Sequence, residues 1–204
     1  MLRSPGKTVC HAHLTRLIAG WLNRCAPIVL AALMAGTPTC SQADDRLVTE
    51  YRIKAAFLYN FSRFVDWPEE IQQPDRFTIC VLGGDPFGNA IDSLAGKAVH
   101  GKQLDILRLR GKAVAGECRV VYISDSESGR IDSIFASLGN RPVLTVSDSA
   151  AFTGKGGMIR LKLVDNKVRF DINIDAAQRA GLTISSKLLS LATIVRDTTT
   201  VEAQ

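Results

Sequence analysis

The chain has 204 residues, 46% hydrophobic and 22% charged, the composition of an ordinary globular protein of one domain or at most two. Its net charge of +5 is concentrated at the start: Arg3, Lys7, Arg16 and Arg24 face no acid before residue 44, and the remaining 161 residues carry 21 cations against 20 acids. A body so near neutrality, with its charges dispersed, has no nucleic-acid footprint.

Residues 1–43 read as an export signal. A basic stretch ends at Arg24 and an apolar run follows from Ala26 to Ala35. Ser41-Gln42-Ala43 then supplies small residues at the two positions a signal peptidase reads, which predicts cleavage near Ala43 and a mature start at Asp44. The competing reading is a membrane anchor, but an apolar run of about ten residues is short of the ~20 needed to cross a bilayer. Lipidation at Cys40 is a weaker reading, because Thr37-Pro38-Thr39 is a poor approach to a lipidated cysteine. After processing, the chain is expected not to span the membrane.

From Asp44 to Trp67 the spacing predicts a helix: Leu47, Tyr51, Ala55, Leu58, Phe61 and Val65 recur every three or four residues. Asp44 and Asp45 suit its positive end, and Pro68 is expected to stop it. A strand is predicted over Phe77–Leu82, then a glycine turn and a short helix over Phe87–Leu94. A second strand runs through Leu104, Ile106 and Leu109. The apolar run Arg119–Ser124 predicts a third strand, buried on both faces. Ser126–Leu138 has helical spacing, Val143–Val146 reads as a strand, and Asp148 is expected to cap a short turn ending at Phe152. Met158–Val164 and Val168–Ile174 alternate about Asp165-Asn166 as a hairpin. Asp175 is expected to cap a last helical region that breaks near Gly181 and resumes over Ser185–Val195. The polar tail 196–204 is expected to be loose.

Strands alternating with helices predict one α/β domain, residues 44–195. Its sheet is largely parallel, with helices on both faces and an antiparallel hairpin near the end.

Three of the five cysteines, Cys10, Cys25 and Cys40, lie in the leader. The two that remain, Cys80 and Cys118, fall on predicted strands. In an exported domain they favour one disulfide over two reduced core thiols. The chain-entropy value of such a bridge is roughly 3–4 kcal/mol. Only His100 remains of the histidines, and no metal-ligand spacing is present, so neither a metal nor another cofactor is expected.

Gly83-Gly84-Asp85-Pro86-Phe87-Gly88 sits where dinucleotide enzymes carry a phosphate loop, but its glycine spacing is wrong. Asp85 would repel a pyrophosphate and Pro86 lacks an amide donor. The better reading is Asp85 as a cap with Pro86 at the first helical position. Ser185 and Ser186 lie in no nucleophile elbow, and His100 reads as an exposed loop residue. An exported hydrolase would have to work through His100 or Ser186, and nothing else supports one, so no enzyme is expected.

Two polar sets interrupt apolar surroundings: Asn60 and Arg63 in the first helix, and Ser185, Ser186 and Lys187 near the end. They are the candidate site for a small anionic or amphipathic ligand, against the plainer reading of a helix cap and a solvated face. The aromatics of the first helix read mostly as core. Among them Phe61, Phe64 and Trp67 are the candidate partner surface.

Five segments, in order, resemble the YfiR family of periplasmic regulators: KAAFLYNFSRFVDWP (54–68), FTICVLGGDPFG (77–88), RPVLTVSD (141–148), GGMIRL (156–161) and RAGLTISSKLLSLA (179–192). The resemblance spans about Tyr51 to Val195. It implies a periplasmic, non-enzymatic repressor that binds the periplasmic domain of a YfiN-type inner-membrane diguanylate cyclase. Repression would lower cyclic di-GMP and biofilm formation. The resemblance further implies a possible homodimer and a family disulfide at Cys80 and Cys118. A second cysteine pair found in some members is missing here. The alternative function is a periplasmic small-ligand sensor built on Asn60, Arg63 and Ser185.

Overall fold

A computed structural model describes residues 41–68, 75–110 and 116–197. Most of the expected leader, and the tail from residue 198, lie outside the described residues.

Helix α1 (Ser41–Phe64) buries Ala55, Leu58 and Phe61 against a sheet. It stops three residues before the predicted end. Val65–Asp66 become a two-residue strand, β1, paired antiparallel with β9 (Thr183–Ile184). The Ser185 amide donates to the Phe64 carbonyl at 2.9 Å, so a partner strand rather than Pro68 ends the helix.

Among the described residues the main sheet has eight strands in the order β10-β8-β7-β6-β5-β2-β4-β3, the outermost two being β10 (Thr193–Val195) and β3 (Ala98–Val99). Five form its parallel core: β2 (Arg76–Leu82), β4 (Lys102–Leu109), β5 (Cys118–Ile123), β6 (Leu144–Ser147) and β7 (Ile159–Val164). Strand β8 (Lys167–Asn173) returns antiparallel to β7, and Asp165 and Asn166 hold the positive φ angles of a tight hairpin turn, 49° and 57°. The predicted hairpin is therefore present.

Alternation along the central strands makes two cores. Ile79, Val81, Val120 and Tyr122 face α1. With them pack residues of α2 (Asn89–Asp92), α4 (Ile174–Arg179) and α5 (Ser186–Leu189). Cys80, Leu82, Val121 and Ile123 face α3 (Ile131–Leu138), through Ile131, Ile134 and Leu138. Strands buried on both faces must be apolar at every position, which is why β5 reads as an unbroken hydrophobic run. Cys80 and Cys118 lie in this second core and are disulfide-bonded, with Cα atoms 5.7 Å apart.

Several elements differ from expectation. The Ser126–Leu138 helix is a 3₁₀ segment (Asp125–Arg130) followed by α3, because Ser126-Glu127-Ser128-Gly129 is poor helix sequence. A short strand, β3 (Ala98–Val99), folds back on β4 through His100 and Gly101, both at positive φ. Asn173, not Asp175, caps α4, its Oδ1 accepting from the Ala176 amide at 3.0 Å. Asp175 instead accepts from the Asp197 amide and pairs with Arg196. The last predicted helix is one turn, α5. After it Thr193–Val195 form β10, parallel to β8, and three successive β-branched residues account for the strand.

Candidate partner-binding corner

The end of α1, the β1–β9 pair and α5 meet at one corner. Val65 pairs with Ile184 and Asp66 with Thr183, so two segments that are 119 residues apart in the case of Val65 and Ile184 lie side by side. The Ser185 side chain accepts from the Leu188 amide at 3.4 Å and caps α5. Both polar sets named from the sequence are brought near this corner. Asn60 and Arg63 are exposed on α1, Ser186 and Lys187 are exposed on α5, and Ser185 is half-buried. Four of the five side chains lie open to solvent. The Arg63 guanidinium lies 5.7 Å from the Tyr59 ring and 6.0 Å from the Phe64 ring, within cation–π reach of both.

The three candidate aromatics divide. Phe61 is fully buried, with its ring 5.1 Å from Phe170 and 5.8 Å from Phe57, and belongs to the core. Phe64 and Trp67 are half-buried and remain at the surface. Trp67 packs edge-on against Phe77 at 5.2 Å, and its indole N–H is buried with no hydrogen-bond partner among the described residues. Beyond α5 two apolar side chains stand out that the sequence reading passed over as helix: Leu191 is 71% exposed and Ile194 41%. Ile194 lies on β10, an edge strand of the sheet, and Leu191 in the turn before it.

At the opposite end of α1 a polar cluster is closed upon itself. The Lys54 ammonium lies 2.6 Å from both Glu50 and Asp148, and the Tyr51 hydroxyl donates to Asp148 at 2.9 Å. Phe87 stands edge-on to both Tyr51 and Tyr122. Burial alone would raise the Asp148 carboxyl and lower the Lys54 ammonium. Their mutual hydrogen bond reverses both, with Asp148 held below the usual carboxylate range and Lys54 above the usual lysine range. Burial, then hydrogen bonding to Asp148, raises Tyr51. This is a clamp tying α1 to the end of β6. It replaces the expected role of Asp148 as a turn cap, since the turn at Phe152 starts from the Ser149 carbonyl.

The glycine motif is also satisfied internally. Asp85 accepts from the Phe87 amide at 2.8 Å and from the Arg108 Nε at 2.7 Å, while Arg108 also reaches Asp92. A Cβ on Gly83, at φ +92°, would lie 2.6 Å from the Ser126 Oγ. The glycine is thus required by the close approach of the loop after β5, not by a phosphate. His100 is exposed in its turn, and its Nε2 lies 2.8 Å from the Ser62 carbonyl rather than against a serine hydroxyl. Among the described residues, no three His, Cys, Asp or Glu side chains are grouped to hold a metal ion. No described helix is long and apolar enough to cross a membrane.

A family model described as YfiR/HmsC-like matches residues 51–193, from the tyrosine of the clamp to the first residue of β10.

Proposed function

The chain belongs to the YfiR/HmsC-like family of periplasmic regulatory proteins, and on that premise we propose that it represses an inner-membrane diguanylate cyclase by binding the cyclase's periplasmic domain. The observation that supports docking is the corner with Leu191 at 71% exposure. A folded domain leaves so large an apolar group in water at a cost that a partner recovers on binding it.

The mechanism is a population shift. Moving a cyclase from 1:99 to 99:1 in favour of its inactive state requires about 5.5 kcal/mol of preferential binding. Burying one large apolar side chain is worth roughly 1.5–3 kcal/mol. Leu191 and Ile194, with the outer parts of Phe64 and Trp67, are of the right magnitude if the inactive state alone offers them a complementary surface. The chain performs no chemistry in this scheme. Cyclic di-GMP is made across the membrane and responds only through the cyclase. Export with cleavage near Ala43 places the regulator on the correct side, and a homodimer is compatible with the corner's edge strand.

Deleting the chain should raise cellular cyclic di-GMP, and restoring the exported form should lower it again. The same domain without its leader should have no effect. An unchanged level on deletion overturns the proposal. Purification of the tagged protein with its membrane partner identifies the cyclase.

A further inference from the structure

Seven large hydrophobic side chains are exposed among the described residues, and five of them lie on α1 and at the tip of the β7–β8 hairpin. Leu47 and Val48 lie on the second turn of α1 and Ile53 near its middle, and Leu163 and Val164 at the tip of the β7–β8 hairpin. Ile53 and Leu163 share a groove of about 400 Å³ between the helix and the hairpin, lined also by Asp45, Arg46, Glu50 and Asn166, whereas Leu47 and Val48 line a separate hollow beside Pro86 and Asn89. Successive residues on a strand point to opposite faces, so Leu163 and Val164 make the tip apolar on both sides.

The same end carries exposed cations with no ion-pair or hydrogen-bond partner among the described residues: Arg46, Arg52, Lys167 and Arg169. The exposed acids beside them are Asp45 and Asp165. Arg169 stands directly across the hairpin from Lys162, a like-charge pairing that works against the sheet. Asp171 answers Lys162 and Arg160 only, at 2.5 Å and 3.0 Å. Neither the unpaired charge nor the exposed apolar tip is explained by the core.

Apolar tips ringed by unpaired cations fit a bilayer surface, where the apolar groups enter the headgroup boundary and the cations meet phosphate. We infer that the α1 start and the hairpin tip together form a membrane-touching edge that binds anionic phospholipid. The corner with Leu191 would then be left free for a protein partner, and the two surfaces operate independently.

The test is vesicle flotation of the full chain produced in an exporting host, so that wild type and variants share one N-terminus. Vesicles are phosphatidylcholine alone, or equal parts phosphatidylethanolamine and phosphatidylglycerol. Wild type should float with the phosphatidylglycerol vesicles and much less with phosphatidylcholine, and high salt should release it. Two variants, L163S/V164S and K167E/R169E, should each lose at least about tenfold in partition while keeping the wild-type melting temperature, because all four side chains are exposed. Absence of wild-type flotation overturns the inference, as does flotation that neither variant reduces. If sedimentation equilibrium instead shows wild-type dimers that L163S/V164S dissociates, and no vesicle binding, the edge is an interface between copies and the inference fails.

Discussion

Lys54 and Asp148 lie 94 positions apart in sequence, and their charged atoms meet at 2.6 Å with both side chains largely out of water. Removing one partner leaves Lys54 with Glu50 alone, or Asp148 with the Tyr51 hydroxyl alone, so the cost is that of a lost charge-assisted hydrogen bond, ~1.5–3 kcal/mol. D148N and K54M should each lower stability by about that amount in denaturant unfolding. The pH dependence follows from the directions of the two shifts. Asp148 is held below its ordinary value of 3.8, so its contribution is complete above that pH and is lost as pH falls through the lower folded value. Lys54 is held above 10.5, so its contribution is complete below that pH and is lost as pH rises through the higher folded value. Melting curves of wild type and D148N should differ most on the plateau between these limits and converge in acid. A gap that stays constant down to acid pH would remove the pair from the account of stability.

The disulfide has a similar standing. Cys80 and Cys118 are both fully buried and close a separation of 38 residues between adjacent strands. Its loss, by reduction or in C80A/C118A, should lower unfolding free energy by ~3–4 kcal/mol. Non-reducing peptide mass spectrometry should recover the linked pair from exported protein. Alkylation of the native reduced protein should be slow, since neither sulfur reaches solvent.

At the hairpin turn, Asn166 sits at φ 57° after Asp165 at φ 49°. A β-branched residue has no comfortable left-handed conformation, so N166V should cost ~1–2 kcal/mol, whereas N166G should cost nothing or stabilise. Chemical denaturation of the two variants decides this. Equal midpoints would mean that the turn can change type without penalty.

These three features were legible in the sequence to different degrees. The hairpin turn follows from Asp165-Asn166 between alternating segments, and the disulfide from two cysteines on predicted strands of a chain read as exported; that those strands are neighbours comes from the fold. The unbroken apolar run of β5 likewise announced burial on both faces. The Lys54–Asp148 clamp was not legible, because a lysine in an amphipathic helix reads as solvated until the helix is seen lying over the end of β6. Helical periodicity also ran too far at both ends of the corner. Val65 continues the apolar spacing of α1, and Leu188, Leu189 and Ala192 suggest a helix reaching Val195. Strand pairing with distant segments overrides both, and periodicity carries no information on distant pairing. Periodicity also places Phe61 and Phe64 on neighbouring positions of one stripe. Only the packing of Phe170 against Phe61 shows which of them is core.

That division sets the test of the corner. Phe61 cannot serve, since F61A removes a fully buried ring and should cost ~3–5 kcal/mol of stability, with loss of function by unfolding. The exposed positions separate binding from folding. L191D should leave the melting temperature within the small range of surface substitutions, about 0.5 kcal/mol in stability. Placed in an apolar contact, the same aspartate meets no partner for its charge. It should weaken cyclase binding by at least ~2 kcal/mol, the magnitude of an interface hot spot. By the population-shift relation, a loss of that size returns a fully repressed cyclase to substantial activity. Cyclic di-GMP in a strain carrying L191D should therefore approach the deletion level while the exported protein remains abundant and folded. F64A should produce a smaller rise, because most of Phe64 already packs against the core. If L191D and I194D both repress as wild type does, the cyclase is held by some other face of the domain.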